Sequence, residues 1–530
     1  MLKKHALILH PFLFVLFPVL SLYAGNLGET PLTTIFRAAA VGLAGAGLLL
    51  GLLRLLVGDW QRAGALATAA ILSFSVIGMV FRSWSGLKDV APGLAEVLWG
   101  GLLVAATWLA LRKLPAQADQ ITRILNITGW IALATCLYGF GAYGLHTLQV
   151  GEVRPVQAGV DPVPTATSTP VLPAATQPAF QGPDHQPPDI YYIILDGYDR
   201  SDVLEELFGV DNTPFIDFLK QRGFYVASLS RSNYDQTALS LASSLNENYM
   251  DALVSSPSES NNRGALTTLI NDSTVQRFVK ARGYRTVAFS NGFPTTEMTS
   301  ADTFYRDPQA LNSFEMTLIS GSLARDEATP AILENYRQRI LWNEARLEAL
   351  VADQSDPRPK FVFAHFILPH PPFVFNADGS PHASFAGGDG SHYGGTREDY
   401  YHGYREQVQY TDRLAEQMID AILAHSVRPP VIIIQGDHGS GMDLDWTSQA
   451  DSCLRERFSI LNAYYLPGVT TTGLYPAVTP VNTFRVVFNA YFDAGLPLLP
   501  DRNYFSLWET PYRWDDVTGQ IETACPARRG

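Results

Sequence analysis

Cysteine is scarce and scattered. The 530 residues hold three of them, and with no CxxC pair or Cys/His cluster a thiolate-bound structural zinc is excluded. No Lys/Arg tract exists either: 38 basic residues stand against 51 acidic ones, a net charge of −13, which excludes nucleic-acid binding driven by phosphate neutralisation. Charge of both signs together reaches only 17%, against 47% hydrophobic residues. That balance is apolar for a soluble enzyme and polar for a purely embedded one, so a mixed architecture is expected. Internal repeats are missing, and the apolar region lacks the paired charges and inverted repeats of a transporter.

What is present begins with apolar runs over the first 150 residues, each near the length of about 20 that crosses a hydrocarbon core. Five spans are expected, near 5–24, 33–56, 63–82, 94–111 and 124–147. Lone polar residues inside them, Asn126 and His146, read as helix-packing or interfacial groups. Lys3, Lys4, Arg54, Arg62, Arg112, Lys113 and Arg123 fall on one side, against Arg82, Lys88 and Arg154 on the other. The richer side is cytoplasmic, so the chain is expected to be a multi-pass cell-membrane protein with its N-terminus inside and everything after the fifth span outside. The cleavage pattern of a secretory signal is weak, and further spans follow it. In the exported part a Cys453–Cys525 disulfide becomes possible, whereas Cys136 lies within an apolar run.

From 151 to 188 the sequence turns to Pro, Thr and Ala with almost no charge, as in "VDPVPTATSTPVLPAATQPAF". Such a segment buries no core and is expected to be an extended tether. Beyond it, strand-like and helix-like stretches alternate: "DIYYIILDGY" (strand), "NTPFIDFLKQRG" (helix), "FYVASLS" (strand), "VQRFVKARG" (helix), "YRTVAFS" (strand), "KFVFAHFIL" (strand), a long helix from about Glu398 to Ala424, "PPVIIIQG" (strand), "RFSILNAYYLPG" (strand) and "PVNTFRVVFNAYFD" (helix). Strands apolar on both faces, separated by helices, give an α/β fold whose mostly parallel sheet is sandwiched by helices. Ligands in such folds sit beyond the carboxyl ends of the strands.

Three apolar strands end in groups able to hold a metal or a phosphate. Asp196 follows "YYIIL", His365 and His370 lie in or after "FVFAHFILPHPPF", and Asp437 with His438 follows "VIIIQG". Taken alone, "LDGY" reads as a turn. In "GDHG" an acid and an imidazole flanked by glycines can point into one cleft, as ligands suited to a divalent ion. In "SNYDQTALSLASSLN", Leu239, Leu241 and Leu245 suit a helix that starts near Gln236 or Thr237, with Asp235 as its cap. Thr237 is then either a first-turn residue or a nucleophile at a helix N-terminus, which needs a metal to stabilise its alkoxide.

The order "ILDGY", "SNYDQTALSLASSLN", "GYRTVAFSNGF", "FAHFILPHPPFVF", "QGDHGSG" and "PVNTFRVVFNAYF" resembles the alkaline phosphatase superfamily. Within it the chain is most similar to the sulfatase-like, membrane-anchored branch that includes lipoteichoic acid synthases and related phosphoglycerol transferases. The resemblance spans about 188–500 and leaves 501–530 as a C-terminal extension. It implies an alkaline phosphatase-like catalytic domain and one divalent ion (Mn, Mg or Zn) held by Asp196, Thr237, Asp437 and His438, with Thr237 also the nucleophile. Synthases of the branch carry Glu where this chain has Asp196. His370 would meet the substrate and protonate a leaving group, and Arg306 in "ADTFYRD" would bind the headgroup. The expected substrates are phosphodiesters of membrane lipids or envelope polymers, cleaved or transferred through a covalent Thr intermediate. A sulfuric ester hydrolase and an inactive envelope scaffold are the alternatives. Because Thr237 is followed by "ALSL" rather than the Cys/Ser-x-Pro/Ala-x-Arg pattern, a formylglycine sulfatase is not expected. A second metal-ligand set is not evident: His365, His382, His392, His402 and Asp412 read as surface or packing residues.

Overall fold

The computed structural model describes residues 6–77, 94–113, 117–151, 153–156, 187–255, 259–323, 325–382, 386–469, 473–522 and 525. They form two units: Met1–Gln149 with Leu311–Ile332, and Val150–Ala310 with Leu333–Gly530.

Helices His10–Ala24, Ile35–Val57, Trp60–Leu72, Leu94–Lys113 and Ala118–Val150 make up most of the first unit. Two stretches, Leu32–Val57 and Ala118–Gln149, are long and apolar enough to cross a membrane; His10–Ala24 and Leu98–Leu109 are apolar but shorter. The expected span at 63–82 is a helix only to Leu72, followed by a wider turn over Ser73–Ile77. Its last residues lie outside the described ones, as do Lys3, Lys4, Arg82 and Lys88 of the orientation argument. Asn126 is a packing group: its side-chain oxygen accepts from the backbone N–H of Leu9 (3.1 Å) and His10 (2.9 Å). Those donors open a helix and have no intrahelical partner. The segment Leu311–Ile332 joins this unit through Phe314, which packs with Val19 and Ile35, and through an Arg37–Glu315 ion pair.

The second unit is built on a seven-stranded sheet in the order β2-β7-β6-β1-β5-β3-β4. The strands are β1 Ile190–Leu195, β2 Tyr225–Val226, β3 Arg285–Phe289, β4 Thr303–Tyr305, β5 Lys360–Phe366, β6 Val431–Gln435 and β7 Asn462–Tyr465. The run β6-β1-β5-β3-β4 is parallel, and β7 joins β6 antiparallel. Period-two alternation splits β1 between two cores. Ile190, Tyr192 and Ile194 pack with Leu239, Leu245, Phe484 and Phe488 on one face; Tyr191, Ile193 and Leu195 pack with Ile340, Leu347, Val408 and Met418 on the other. Helices Thr237–Asn246 and Pro480–Phe492 thus cover one side, and Arg325–Ala352 and Arg397–His425 the other. Full burial on both faces explains why β1 and β6 read as near-continuous apolar runs.

Two expected elements differ. "RFSILNAYYLPG" is not one strand: Leu454–Phe458 is a short helix, Ser459 and Ile460 make isolated bridges to Arg231 and Asp199, and the continuous strand begins at Asn462. Asp235 does not cap the helix at Thr237; Gln236 occupies the cap position without a side-chain bond to the helix's own N–H groups, while Asp235 accepts from the backbone N–H and hydroxyl of Ser506 (3.2 and 3.1 Å). The segment around Ser506 therefore packs in this same unit, with a two-stranded ribbon of Tyr504–Phe505 and Asp515–Asp516. Cys453 and Cys525 are joined by a disulfide, with Cα atoms 4.6 Å apart. At the start of the expected tether, Pro155 bridges Val254, and 157–186 lie outside the described residues.

Candidate functional site

Strand order brings the chemistry together. β1 sits between β6 and β5, with Ile194 level with both Gln435 and His365, so three neighbouring strands deliver their following residues to one edge. Asp196 comes one residue after β1, and Asp437 two residues after β6. Glycines make the turns possible. Gly197 has φ of +71°, a left-handed conformation open to glycine. At Gly439 a Cβ would stand 2.0 Å from the carbonyl oxygen of Glu456, so no side chain fits between the loop and the helix Leu454–Phe458.

Asp196, Thr237, Asp437 and His438 converge. The Thr237 hydroxyl is 2.9 Å from Nε2 of His438. That same nitrogen is 3.3 Å from Oδ2 of Asp437 and 3.6 Å from Oδ1 of Asp196. Nδ1 of His438 donates to the Gly439 carbonyl (2.8 Å), which leaves the Nε2 lone pair facing the cluster. Burial, with the Arg457 charge beside it, holds the His438 pKa below its ordinary value, so the ring is neutral. Thr237 opens its helix, where backbone N–H groups point at an incoming anion.

One oxygen of each carboxylate is satisfied and the other is not. Oδ1 of Asp437 accepts from the Gly197 N–H (3.0 Å), and Oδ2 of Asp196 faces Nε2 of His365 (3.0 Å). Oδ1 of Asp196 and Oδ2 of Asp437 are buried without a partner. Leaving two buried carboxylate oxygens bare is costly unless something positive answers them. The donor set of two carboxylates, an imidazole nitrogen and a hydroxyl fits a divalent cation.

His365 corrects the sequence reading. It is neither on the surface nor a packing residue; it lies inside β5, buried against Asp196. Asp196, His365 and Asp437 offer atoms within 4.8 Å of one another, a second metal-capable set that shares both acids with the first. The hydrogen bonds decide between them. The Asn291 side-chain oxygen accepts from the Phe293 N–H (2.8 Å), so its NH₂ points at Nδ1 of His365 (2.7 Å) and at the Thr296 hydroxyl (2.9 Å). With Nδ1 accepting, the His365 proton sits on Nε2 and is donated to Asp196. No lone pair remains there for a cation: His365 orients Asp196, and His438 offers the free nitrogen.

His370 follows β5 across "LPHPP" and stands at the rim, its ring centroid 6.2 Å from that of His438. Its Nδ1 donates to the Pro371 carbonyl (2.6 Å), and its Nε2 lies 3.5 Å from Oδ2 of Asp389. Burial opposes protonation, but the charges of Asp196 and Asp389 and the Pro371 carbonyl outweigh it, and the His370 pKa rises to about 9. Asp389 belongs to the Gly/Ser/His-rich stretch 376–395 that reads as a loose loop. Instead it is buried and held at both oxygens, by Arg457 (2.8 Å) and the Trp446 indole N–H (3.2 Å). Residues 383–385 of that stretch lie outside the described ones.

Arg306 does not join the cluster. It pairs with Glu297 (3.0 Å) and is half exposed, and the contacts described for it include none of the four converging residues. His382 bonds Asn376, His392 packs on Trp446 and Trp508, His402 faces Glu398, and Asp412 bonds Tyr198. Asp389 and Arg457 were not foreseen in the sequence. His365 had one local signal, an imidazole inside an otherwise apolar strand.

A doubly covered parallel sheet with polar groups at its central strand ends is the architecture of an α/β enzyme whose site lies beyond the carboxyl ends of its strands. A family model described as Sulfatase matches residues 188–481. That is more than half of the chain, which therefore belongs to the sulfatase family. No curated protein matches it. Among solved structures, the zinc-bound C-terminal periplasmic domain of EcEptC from Escherichia coli is 13% identical, covering 66% of this chain and 98% of that one with a TM-score of 0.43. The phosphonate monoester hydrolase of Agrobacterium radiobacter is 13% identical over 60% and 80% of the two chains, with a TM-score of 0.40. For the C-terminal periplasmic domain of phosphoethanolamine transferase EptC from Campylobacter jejuni the figures are 12%, 53%, 80% and 0.32.

Proposed function

We propose that this protein is a membrane-anchored phosphotransferase or phosphodiesterase that works outside the bilayer on lipid headgroups or envelope polymers, with Thr237 as its nucleophile. The observation that carries the reading is the pair of bare, buried oxygens on Asp196 and Asp437 facing the free nitrogen of His438 and the Thr237 hydroxyl. Asp196, Thr237, Asp437 and His438 would hold one divalent ion. When bound, such an ion would supply positive charge to stabilise an ionised Thr237 hydroxyl and negative charge on the phosphoryl oxygens.

The remaining steps belong to the chain. The Thr237 hydroxyl gives up its proton to bulk water, and Oγ1 attacks phosphorus from the open end of its helix as the bond to the departing alkoxide breaks in line. His370, whose Nε2 faces the Asp389 carboxylate, passes its Nε2 proton to that alkoxide. The product is a Thr237 phosphodiester, and the alcohol leaves. An incoming alcohol or water then gives its proton to His370 and displaces Thr237, whose oxygen takes a proton back from bulk water. An alcohol acceptor makes the enzyme a transferase, and water makes it a hydrolase. Thr at this position has no route to formylglycine, which forms from Cys or Ser, so the reading favours phosphoryl over sulfuryl substrates.

Five membrane-spanning helices with the N-terminus inside complete the proposal, supported by the apolar runs and the loop charges. The site would then lie beyond the outer leaflet, where phosphodiesters are available and ATP is not. The test is mass spectrometry of the purified full chain after incubation with phosphatidylglycerol and a divalent metal. An added headgroup mass on the peptide holding Thr237 is expected, and its absence in Thr237→Ala. Wild-type turnover of bis-p-nitrophenyl phosphate by Thr237→Ala would remove Thr237 from the chemistry.

A further inference from the structure

The helix Leu454–Phe458 begins at Cys453, which the disulfide ties to Cys525, and it carries one fully buried guanidinium. That guanidinium touches three separate parts of the site. Nε of Arg457 donates to the carbonyl of Asp235 (2.7 Å), two residues before the nucleophile. Nη1 donates to the carbonyl of Gly439 (3.1 Å), the residue after His438, and to Oδ2 of Asp389 (2.8 Å), the carboxylate facing His370. The Trp446 ring lies 5.0 Å away and the side chain is 2% exposed. Asp235, Asp389 and Gly439 lie on three segments that also meet through the Gly390 N–H to the Gly441 carbonyl (2.8 Å) and the Thr237 hydroxyl to His438 (2.9 Å), and the planar fork of Arg457 binds all three.

We propose that Arg457 is the positioning residue of this reaction, fixing the nucleophile, the loop after β6 and the carboxylate partner of His370 at their mutual distances. This rests on the functional reading above. A planar group with fixed donor directions sets three acceptors in register, which a point charge on a flexible stem does not. Its contribution is therefore to turnover rather than to ground-state binding. Displacements of about an ångström at reacting groups cost on the order of 100-fold.

The experiment uses the full chain in detergent, with bis-p-nitrophenyl phosphate as substrate and Mn²⁺ as the titrated metal. In Arg457→Ala, kcat falls by about 100-fold while KM stays within about threefold, and Mn²⁺ binds about tenfold more weakly because the Gly439 contact is lost. Added guanidinium ion restores a measurable share of kcat to Arg457→Ala, and ammonium at equal ionic strength does not. If Arg457→Ala fails to fold, Arg457→Lys decides: its single ammonium cannot reach three acceptors, and kcat still falls by about tenfold or more. A folded Arg457→Lys with wild-type kcat, or Arg457→Ala with wild-type kcat and Mn²⁺ affinity, overturns the inference. Thr237→Ala runs alongside: if it turns over substrate normally the functional reading fails, and Arg457 is then judged by Mn²⁺ affinity alone.

Discussion

The two sides of Asp196 differ in how their polar atoms are satisfied. Toward β3, a chain of bonds runs from Arg306 to Glu297, from Glu297 to the Gly292 N–H, and from Asn291 through His365 to Oδ2 of Asp196. None of the atoms in that chain is buried without a partner. Toward β6, Oδ1 of Asp196 and Oδ2 of Asp437 are both bare. A saturated network holds its members in place and asks for nothing more. An unsaturated one, with a free imidazole nitrogen and a hydroxyl beside it, is built to receive a positive ligand. On the proposed reading, the side toward β3 is support, and the side toward β6 is where binding and chemistry belong.

The largest effect should come from the bare side. Asp437→Asn is expected to lower kcat by about 1,000-fold or more and to abolish tight metal binding, since a ligand and a charge are both lost. Removing one of two unanswered buried carboxylates should also raise the melting temperature of the metal-free protein above that of wild type. Calorimetry with and without chelator checks both; a metal-free variant less stable than wild type would break the contrast.

A lone bare acid sharpens the same point. Glu247, at the far end of the helix that Thr237 opens, is buried with Oε2 unpartnered. No cluster of further ligands was found around it among the described residues, and it is answered by a proton instead. Burial, opposed by Arg485, pushes its pKa from 4.5 up to about 7. The folded state keeps a proton that the unfolded state releases, so this contribution to stability is complete below about pH 4.5 and is lost as pH rises through about 7. The difference amounts to about 3 kcal/mol. Glu247→Gln should flatten that part of the curve and be the more stable protein at pH 8, as denaturant midpoints at pH 4.5 and 8 would reveal.

On the saturated side the effects shrink with distance. His365→Gln should weaken metal binding by about 10- to 100-fold, with turnover recovering at saturating metal, because it only orients Asp196. Recovery would be missing if His365 were itself the nitrogen ligand. Arg306→Ala should change kcat/KM by less than about threefold. A KM rise confined to charged lipid headgroups would give Arg306 back the substrate role that its motif suggested.

How far the site could be read in advance follows from the same geometry. Asp196, Asp437 and His438 each lie just beyond an apolar strand, and a strand end followed by glycine is a local pattern. Thr237 was reachable because leucine spacing marks where its helix starts. Asp389 and Arg457 carry no such mark: one sits in a glycine-rich loop, the other in "RERF", whose apolar continuation suggested a strand. Their burial depends on segments 68 residues apart meeting, and nothing local announces that. Arg306 shows the converse, a suggestive motif whose side chain is taken up by a neighbouring acid.

The sequence by itself determined the apolar N-terminal region, the α/β alternation, the family, and which strand ends carry ligand-type residues, because each depends on near neighbours along the chain. Tertiary structure alone decided which atoms stay bare. Strand order sets β1 between β6 and β5, and a bond from Asn291 fixes where the His365 proton sits. Whether a carboxylate oxygen meets a donor or an open space depends on distances between segments, and composition and spacing carry no record of those.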